Sequence, residues 1–231
     1  MRPSVGVVIP VHNGEKFIAQ ALQSVVNQNG AFDIHVVCVN DGSTDMSGQR
    51  ISDFSHVLPS LQVVTHDRAR GPAASRNEGA RLLDTDFLAF LDHDDVWHPR
   101  KTLSQVAALQ DKPSFAFALG RQRFKLERGL SQPKWFREEW ITNSQAGFLP
   151  SALLVRRDFF FDTGGFLEEY RHGGDDTGWF AKVLRDGVPF LTLDTVVVTR
   201  LIHAANLSRH ARASNHEILD VVRKHLAGGP N

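Results

Sequence analysis

Ile34-His35-Val36-Val37-Cys38-Val39-Asn40-Asp41-Gly42-Ser43-Thr44-Asp45 changes character halfway along. Through Val39 it is apolar almost throughout and rich in β-branched valine, as expected of a strand covered on both faces. From Asn40 it becomes a polar, acid-bearing turn. The same change recurs nearby: Val5 to Ile9 runs into Pro10-Val11-His12-Asn13-Gly14, and Phe87 to Leu91 runs into Asp92-His93-Asp94-Asp95. Leu61 to Val64 supplies a fourth apolar run. Between the first two, Glu15 to Asn27 sets Phe17, Ile18, Ala21, Leu22, Val25 and Val26 in one helical stripe. Further helices are predicted from near Asp45, from about Pro72 to Leu83, and after Pro99, a natural first-turn residue. Strands alternating with helices are the pattern of βαβ units, so the chain is predicted to be α/β, with a mostly parallel central sheet flanked by helices.

After Lys112 the alternation weakens. Phe115 to Leu119 reads as a strand, whereas Arg121 to Asn143 is charged, contains Trp135 and Trp140, and follows no clear period. Its tryptophans fit either a binding surface or packing of the core or a lid. Regularity returns with Ser151 to Val155, a helical stretch after Asp175, a strand over Phe190 to Val198 and a last helix over about Asn215 to Leu226.

The chain has 231 residues, enough for one large domain and too few to divide comfortably into two. Lys plus Arg and Asp plus Glu each total 26, so no global positive field exists to gather nucleic acid. The lone cysteine, Cys38, lies inside an apolar run and reads as a buried, inert thiol; no disulfide framework is expected. The N-terminus lacks the h-region of a signal peptide, and no apolar stretch is long enough to cross a bilayer. The expectation is a cytoplasmic protein whose membrane contact, if any, is peripheral.

Ligands of an open parallel sheet bind beyond the carboxyl ends of the strands, and three acid-rich loops share that rim here. Asp92 and Asp94, one residue apart at a strand end, can both address a single site; closely spaced carboxylates attract a hard cation such as Mg²⁺ or Mn²⁺, although an acidic turn in water is the plainer reading. Asp41 on the neighbouring loop can accept hydrogen bonds from a base N–H. Arg76, in the helix feeding the same edge, can pair with phosphate or brace the carboxylates. Asp175 and Asp176 precede an apolar helical stretch and fit either a helix start or a general base aimed into the site. His203 follows the last predicted strand and has no partner at zinc-site spacing.

In this order these segments resemble the family 2 glycosyltransferases, whose catalytic domain is an α/β nucleotide-binding fold of the GT-A type. Val7 to Gly14 is similar to that family's opening strand and donor loop, with Pro10, His12 and Asn13 as donor contacts and His12 standing where an aromatic is usual. Val39 to Asp45 resembles the base-recognition segment, which implies that Asp41 contacts the nucleobase. Gly71 to Gly79 is similar to the Arg-Asn-x-Gly helix and places Arg76 near the nucleotide. Phe90 to Asp95 matches the DxD motif, implying Asp94 as metal ligand and Asp92 as a contact to donor sugar or ribose. Phe161 to Phe166 resembles the acceptor-side Gly-Gly-Phe segment, and Asp175-Asp176 occupies the place of a Glu-Asp pair, which gives Asp176 the base role. Arg200 to Ser208 is similar to the closing Arg-x-x-His-x-x-Asn-x-Ser stretch, making His203 a metal or diphosphate contact.

The resemblance implies an inverting, Mn²⁺- or Mg²⁺-dependent transfer of one sugar from a nucleoside diphosphate, with uridine as the default base. The acceptor would be a hydroxyl of a glycan, a lipid-linked sugar or a small molecule. It divides the single domain into a nucleotide-sugar half over about 1–110, an acceptor half over about 111–210, and a C-terminal helix over about 211–231. A sugar nucleotidyltransferase would also gather carboxylates and a cation on such a sheet, but Val5 to Gly14 carries no Arg or Lys for a triphosphate. A nucleotide-binding scaffold without turnover is the non-enzymatic alternative.

Overall fold

The computed structural model describes residues 2–133, 136–170, 174–204, 216–221 and 223–224. Trp135, Asn206 and Ser208, singled out above, lie outside them. The first half follows the predicted alternation: β1 (Ser4–Val11), α1 (Ile18–Val26), β2 (Asp33–Asp41), α2 (Ser47–Ser52), β3 (Leu61–His66), α3 (Pro72–Arg81) and β4 (Phe87–Phe90). β5 (Asp95–Trp97), α4 (Lys101–Asp111), β6 (Phe117–Leu126), α5 (Glu139–Thr142) and β7 (Gln145–Ala146) follow. A 3₁₀ turn at Pro150–Ala152 leads to β8 (Leu153–Arg156), α6 (Arg157–Asp162), α7 (Gly174–Arg185) and β9 (Phe190–Ile202). Residues 216–221 and 223–224 are helical.

The nine strands of the described residues form one sheet, in the order β3-β2-β1-β4-β8-β6-β9-β5, with β7 paired to β6. β3, β2, β1 and β4 run parallel; β8 is antiparallel to both β4 and β6, and β9 runs parallel to β6. Strand side chains alternate between faces, and the core divides accordingly. Val5, Val7, Ile9 and Val11 of β1, with Val36 and Cys38 of β2, pack under α1, α2 and α4. Val8, Val37 and Val39 pack on the other face against α3, α6 and α7. The uninterrupted apolar runs thus cover two buried faces. Cys38 is fully buried, and burial pushes its thiol pKa up, as expected of an inert core cysteine.

Two departures from the sequence reading matter for the site. Pro10, expected on the donor loop, lies inside β1, buried and in register with Val39. Val8 gives its C=O to Leu91 N, so the alternate residue Pro10 faces the same side, beyond the last β1–β4 pair, where its missing N–H costs no ladder bond. β4 ends at Phe90, so Asp92 and Asp94 are not alternating strand residues. They belong to a tight turn closed by Asp95 N–H to Asp92 C=O at 3.0 Å, after which β5 begins.

α3 lies so close to the sheet that a Cβ at Gly79 would sit 2.5 Å from Val8 Cγ1 and 3.3 Å from Val39 Cγ2. Gly79→Ala is therefore expected to destabilise by about 1–3 kcal/mol through overpacking, despite the roughly 1 kcal/mol that alanine gains in helix propensity. Urea denaturation checks this; a variant as stable as wild type would mean that α3 can lift off Val8 at no cost.

Candidate active site

At the carboxyl rim of the parallel strands, three groups of side chains converge. The first is centred on Asp41, the last residue of β2, which is 4% exposed. Its Oδ1 accepts from His66 Nδ1 at 2.7 Å and from Arg70 N–H at 2.8 Å, and its Oδ2 accepts from Gly71 N–H at 2.8 Å. Burial opposes the charge, but these donors outweigh it and hold the Asp41 pKa below the usual range. His66, buried, meets Glu78 Oε2 with its other nitrogen at 2.8 Å, and Glu78 also pairs with Arg70 at 3.3 Å. Asp41, His66, Glu78 and Arg70 thus close a ring that fixes the loop from β3 to α3. Gly42, at φ 65°, permits its approach: a Cβ there would lie 2.6 Å from Ala69 N.

His12 and Asn13 sit on the same loop cluster, both exposed. His12 Nδ1 donates to the Asp41 backbone oxygen at 2.7 Å. Asn13 adopts φ 51°, a left-handed conformation that asparagine tolerates better than most residues. Its N–H bonds Ser43 Oγ at 3.0 Å and its Oδ1 accepts Thr44 N–H at 2.9 Å, so the donor loop and the Asn40–Asp45 turn are tied together.

Arg76 organises the second group. Its guanidinium, 6% exposed, donates from Nη2 to Asp92 Oδ1 at 2.5 Å and from Nη1 to Asp175 Oδ2 at 2.9 Å. Burial works against its charge, yet the two carboxylates prevail and hold its pKa above the ordinary arginine value. Asp175 and Asp176 occupy the first turn of α7, and Asp176 is partly open to solvent. Loss of hydration and the neighbouring Asp175 charge push the Asp176 pKa up to about 7; Arg76 and the Thr177 N–H oppose the shift and Asp92 adds to it. Asp175 is raised as well, chiefly by burial.

In the third group, His203 Nε2 donates to Asp94 Oδ2 at 2.9 Å, and the His203 ring packs, tilted, against Phe17 at the start of α1, with centroids 4.2 Å apart. His203 is 5% exposed. Burial opposes the Asp94 charge, but His203, His93 and Arg200 hold its pKa below the usual value. Asp92 and Asp94, in one turn, thus have different partners, Arg76 and His203. His66 and Glu78, missed in the sequence, carry no local pattern of their own; Phe17 was read only as part of a helical stripe and Arg200 only as the start of the closing stretch, and their contacts come from strand register and loop packing. A cavity of about 490 Å³ lined by Ser4, Asp84, Arg157 and Asp162 lies at the amino ends of the strands, away from all of these groups.

The same fold recurs in solved structures. Staphylococcus aureus TarS in complex with UDP-GlcNAc matches 96% of this chain and 65% of its own, with a TM-score of 0.74 and 23% identity. The mannosyltransferase PcManGT from Pyrobaculum calidifontis, in complex with GDP-Man and Mn²⁺, matches 100% and 66%, with a TM-score of 0.75 and 18% identity. The architecture is thus the GT-A glycosyltransferase fold. The Glycosyl transferase family 2 model matches residues 6–185, and the chain belongs to that family. Glycosyltransferase GlyG of Streptococcus pneumoniae is 24% identical over 178 residues, 69% of this chain and 59% of the relative. The Escherichia coli enzyme named UDP-Glc:alpha-D-GlcNAc-diphosphoundecaprenol beta-1,3-glucosyltransferase WfgD is 31% identical over 114 residues, 49% of this chain and 44% of the relative. The chain thus spans less than two thirds of the length of either. Among the described residues no helix is long and apolar enough to cross a membrane.

The raised Asp176 pKa makes a stability prediction that is independent of turnover. The folded value lies above the unfolded one, so the folded state bears the cost of the charged form fully above pH 7 and sheds it as pH falls toward the unfolded value of 3.8. Asp176→Asn should raise the thermal midpoint at pH 8, and the gain should shrink steadily to nothing by about pH 4. Paired thermal melts across that range check it; a gain that grows on acidification would reverse the sign.

Proposed function

We propose that the chain transfers a single sugar, with inversion, from a nucleoside diphosphate, with UDP-sugar as the leading donor, to an acceptor hydroxyl. The observation that carries the proposal is the salt-bridged assembly at the rim, in which Arg76 joins the DxD turn to the helix bearing Asp176. Family membership and neighbours that hold UDP-GlcNAc or GDP-Man support the donor class.

Asp176 is the proposed base. A carboxylate with its pKa near 7 has more appetite for a proton than an ordinary aspartate and is still substantially ionised at neutral pH. It would take the proton of the acceptor hydroxyl as that oxygen attacks the anomeric carbon from the face opposite the leaving diphosphate. One base is enough for inversion. Arg76 holds Asp92 and Asp175 in place beside it, and Asp41, with His12 and Asn13, forms the proposed nucleotide-facing loop cluster.

Asp94 and His203 are the proposed cation ligands. Asp94 Oδ2 and His203 Nε2, hydrogen-bonded to each other at 2.9 Å, would become a mixed oxygen and nitrogen ligand pair suited to Mn²⁺ and tolerant of Mg²⁺ once a cation displaced the proton between them. Among the described residues no cluster of three or more such side chains could hold a metal. A two-residue set completed by phosphate oxygens is the usual arrangement for these ions at nucleotide sites. A divalent ion bound there would offset the charge that builds on the departing diphosphate. The acceptor remains a glycan, lipid-linked or small-molecule hydroxyl, with any membrane contact peripheral and the cytoplasm as the proposed location.

Calorimetry with a panel of nucleoside diphosphates, with and without Mn²⁺, tests the donor site. One nucleotide should bind in a metal-dependent manner, and Asp94→Ala should abolish that dependence. Asp176→Asn should bind the same nucleotide nearly as well as wild type while losing transfer by about 10²–10⁴-fold. Equal loss of binding in both variants would sink the assignment of roles. Wild-type kcat/KM for transfer should rise with pH through about 7 as Asp176 loses its proton; a profile flat through that range would exclude Asp176 as the base.

A further inference from the structure

The first turn of α7 is held from two sides, and only one belongs to the site described above. On that side Arg76 grips Asp175. On the other lies the helix described at 216–221 and 223–224, from which Glu217 Oε2 accepts the Gly174 N–H at 3.2 Å. The first N–H groups of a helix have no partner within it, and a carboxylate there also meets the positive end of the helix dipole. In α7 that carboxylate comes from a helix more than 40 residues further along the chain.

The contact is built over a full helical face. Glu217, Asp220, Val221 and Lys224 are spaced i, i+3, i+4, i+7, one stripe of a helix. Val221 is fully buried. The Tyr170 hydroxyl donates to Asp220 Oδ2 at 2.6 Å and accepts from Lys224 Nζ at 2.8 Å. Two glycines one turn apart on α7 make the approach possible. A Cβ at Gly174 would lie 2.9 Å from Glu217 Cβ and 2.8 Å from Tyr170 Cγ. At Gly178 it would lie 2.3 Å from Leu167 Cδ1 and 3.5 Å from Val221 Cγ2.

We propose that this helix is a clamp on the first turn of α7, and that Glu217 is a positioning residue that fixes Asp175 and Asp176 through the Gly174 N–H. The proposal rests on the reading of Asp176 as the base only for its catalytic consequence; the clamp is a property of the fold. Without it, the first turn of α7 would lose one of the two carboxylate contacts described here, the other being Arg76 with Asp175, and would open more readily, moving Asp176 away from Asp175 and Arg76.

Hydrogen exchange and a carboxyl ¹³C titration of Asp176 test this without any substrate. Glu217→Ala should speed exchange of the amides at 176–178 about tenfold, with β1 amides unchanged, and bring the Asp176 midpoint down toward that of an ordinary aspartate. Glu217→Gln, whose amide oxygen can still accept the Gly174 N–H, should keep wild-type exchange and an elevated midpoint. Wild-type behaviour of Glu217→Ala would overturn the clamp, as would equal loss of protection in β1, which marks general destabilisation. Failure of the base reading would appear separately, as transfer surviving in Asp176→Asn, and would leave the exchange result untouched.

Discussion

The site depends on one buried cation. Arg76 is carried by α3 into a position where its guanidinium has carboxylates on both sides, one from the turn after β4 and one from α7. α3 and α7 share one buried cluster on the sheet, and the guanidinium ties both to the turn after β4 at the rim. A planar fork can serve two carboxylates at once in fixed directions, which a lysine ammonium cannot do. The neighbouring Asn77 extends the joint: its Nδ2 donates to Phe166 C=O at 2.8 Å and its Oδ1 accepts Phe166 N–H at 3.0 Å. The Arg-Asn dipeptide thus stitches α3 to the glycine-rich segment that leads into α7. Burying these charges is costly, and the cost is met only while all partners are present. Removal of any one of them would leave the others uncompensated.

The same arrangement sets Asp41 and Asp94 apart from Asp175 and Asp176. Asp41 and Asp94 each face a histidine and further donors, and both are held below their ordinary pKa. They keep a negative charge readily, which is what hydrogen-bond acceptance from a base or binding of a cation demands. Asp175 and Asp176 are crowded together with less compensation, and both are raised. They take a proton readily, which is what a base demands. Environments that push like groups apart are the usual means of assigning different tasks to chemically identical side chains. Here Asp41, at the end of β2, and Asp94, in the turn after β4, are the proton-reluctant ones and the pair at the start of α7 the proton-seeking ones, while Asp95 beside Asp94 is raised by its burial.

The parallel half of the fold was legible because it is governed by local signals. Uninterrupted valine-rich runs, a helical stripe over α1 and prolines at helix starts each report on their own segment. β6 shows where this stops: beyond Leu119 it continues through Arg121, Gln122, Arg123 and Lys125, a polar stretch whose register to β9 shifts twice between Leu119 and Gln122. Its strand character comes from pairing with β9 rather than from its own composition. β5, only three residues long, is defined by Asp95 pairing with Arg200 across more than 100 residues of chain. In the site, the acidic loops could be read directly, and so could Arg76 as a possible brace. The partners of Asp41 could not, and His203, the partner of Asp94, was reached only through the family resemblance. His66 reaches Asp41 because the two are register partners on β3 and β2, and no pattern in either segment announces that alignment.

That dependence on register has a consequence for how the site is held. Asp41 meets His66, Arg76 meets Asp175, and Asp94 meets His203, over sequence separations of 25, 99 and 109 residues. None of these pairs can form until the strands that carry or flank them have found their alignment, because a slip of one residue turns a side chain to the opposite face. The core beneath the rim therefore does more than stabilise the chain. The alternation of Val7, Val8 and Ile9 between two buried faces locks β1 against slippage, and every loop of the site is measured from that strand or from a neighbour aligned to it. The geometry of the rim is inherited from the packing below it, so the polar residues can remain mutually repulsive or strained, as Asn13 at positive φ and the Asp175–Asp176 pair are, without the site coming apart.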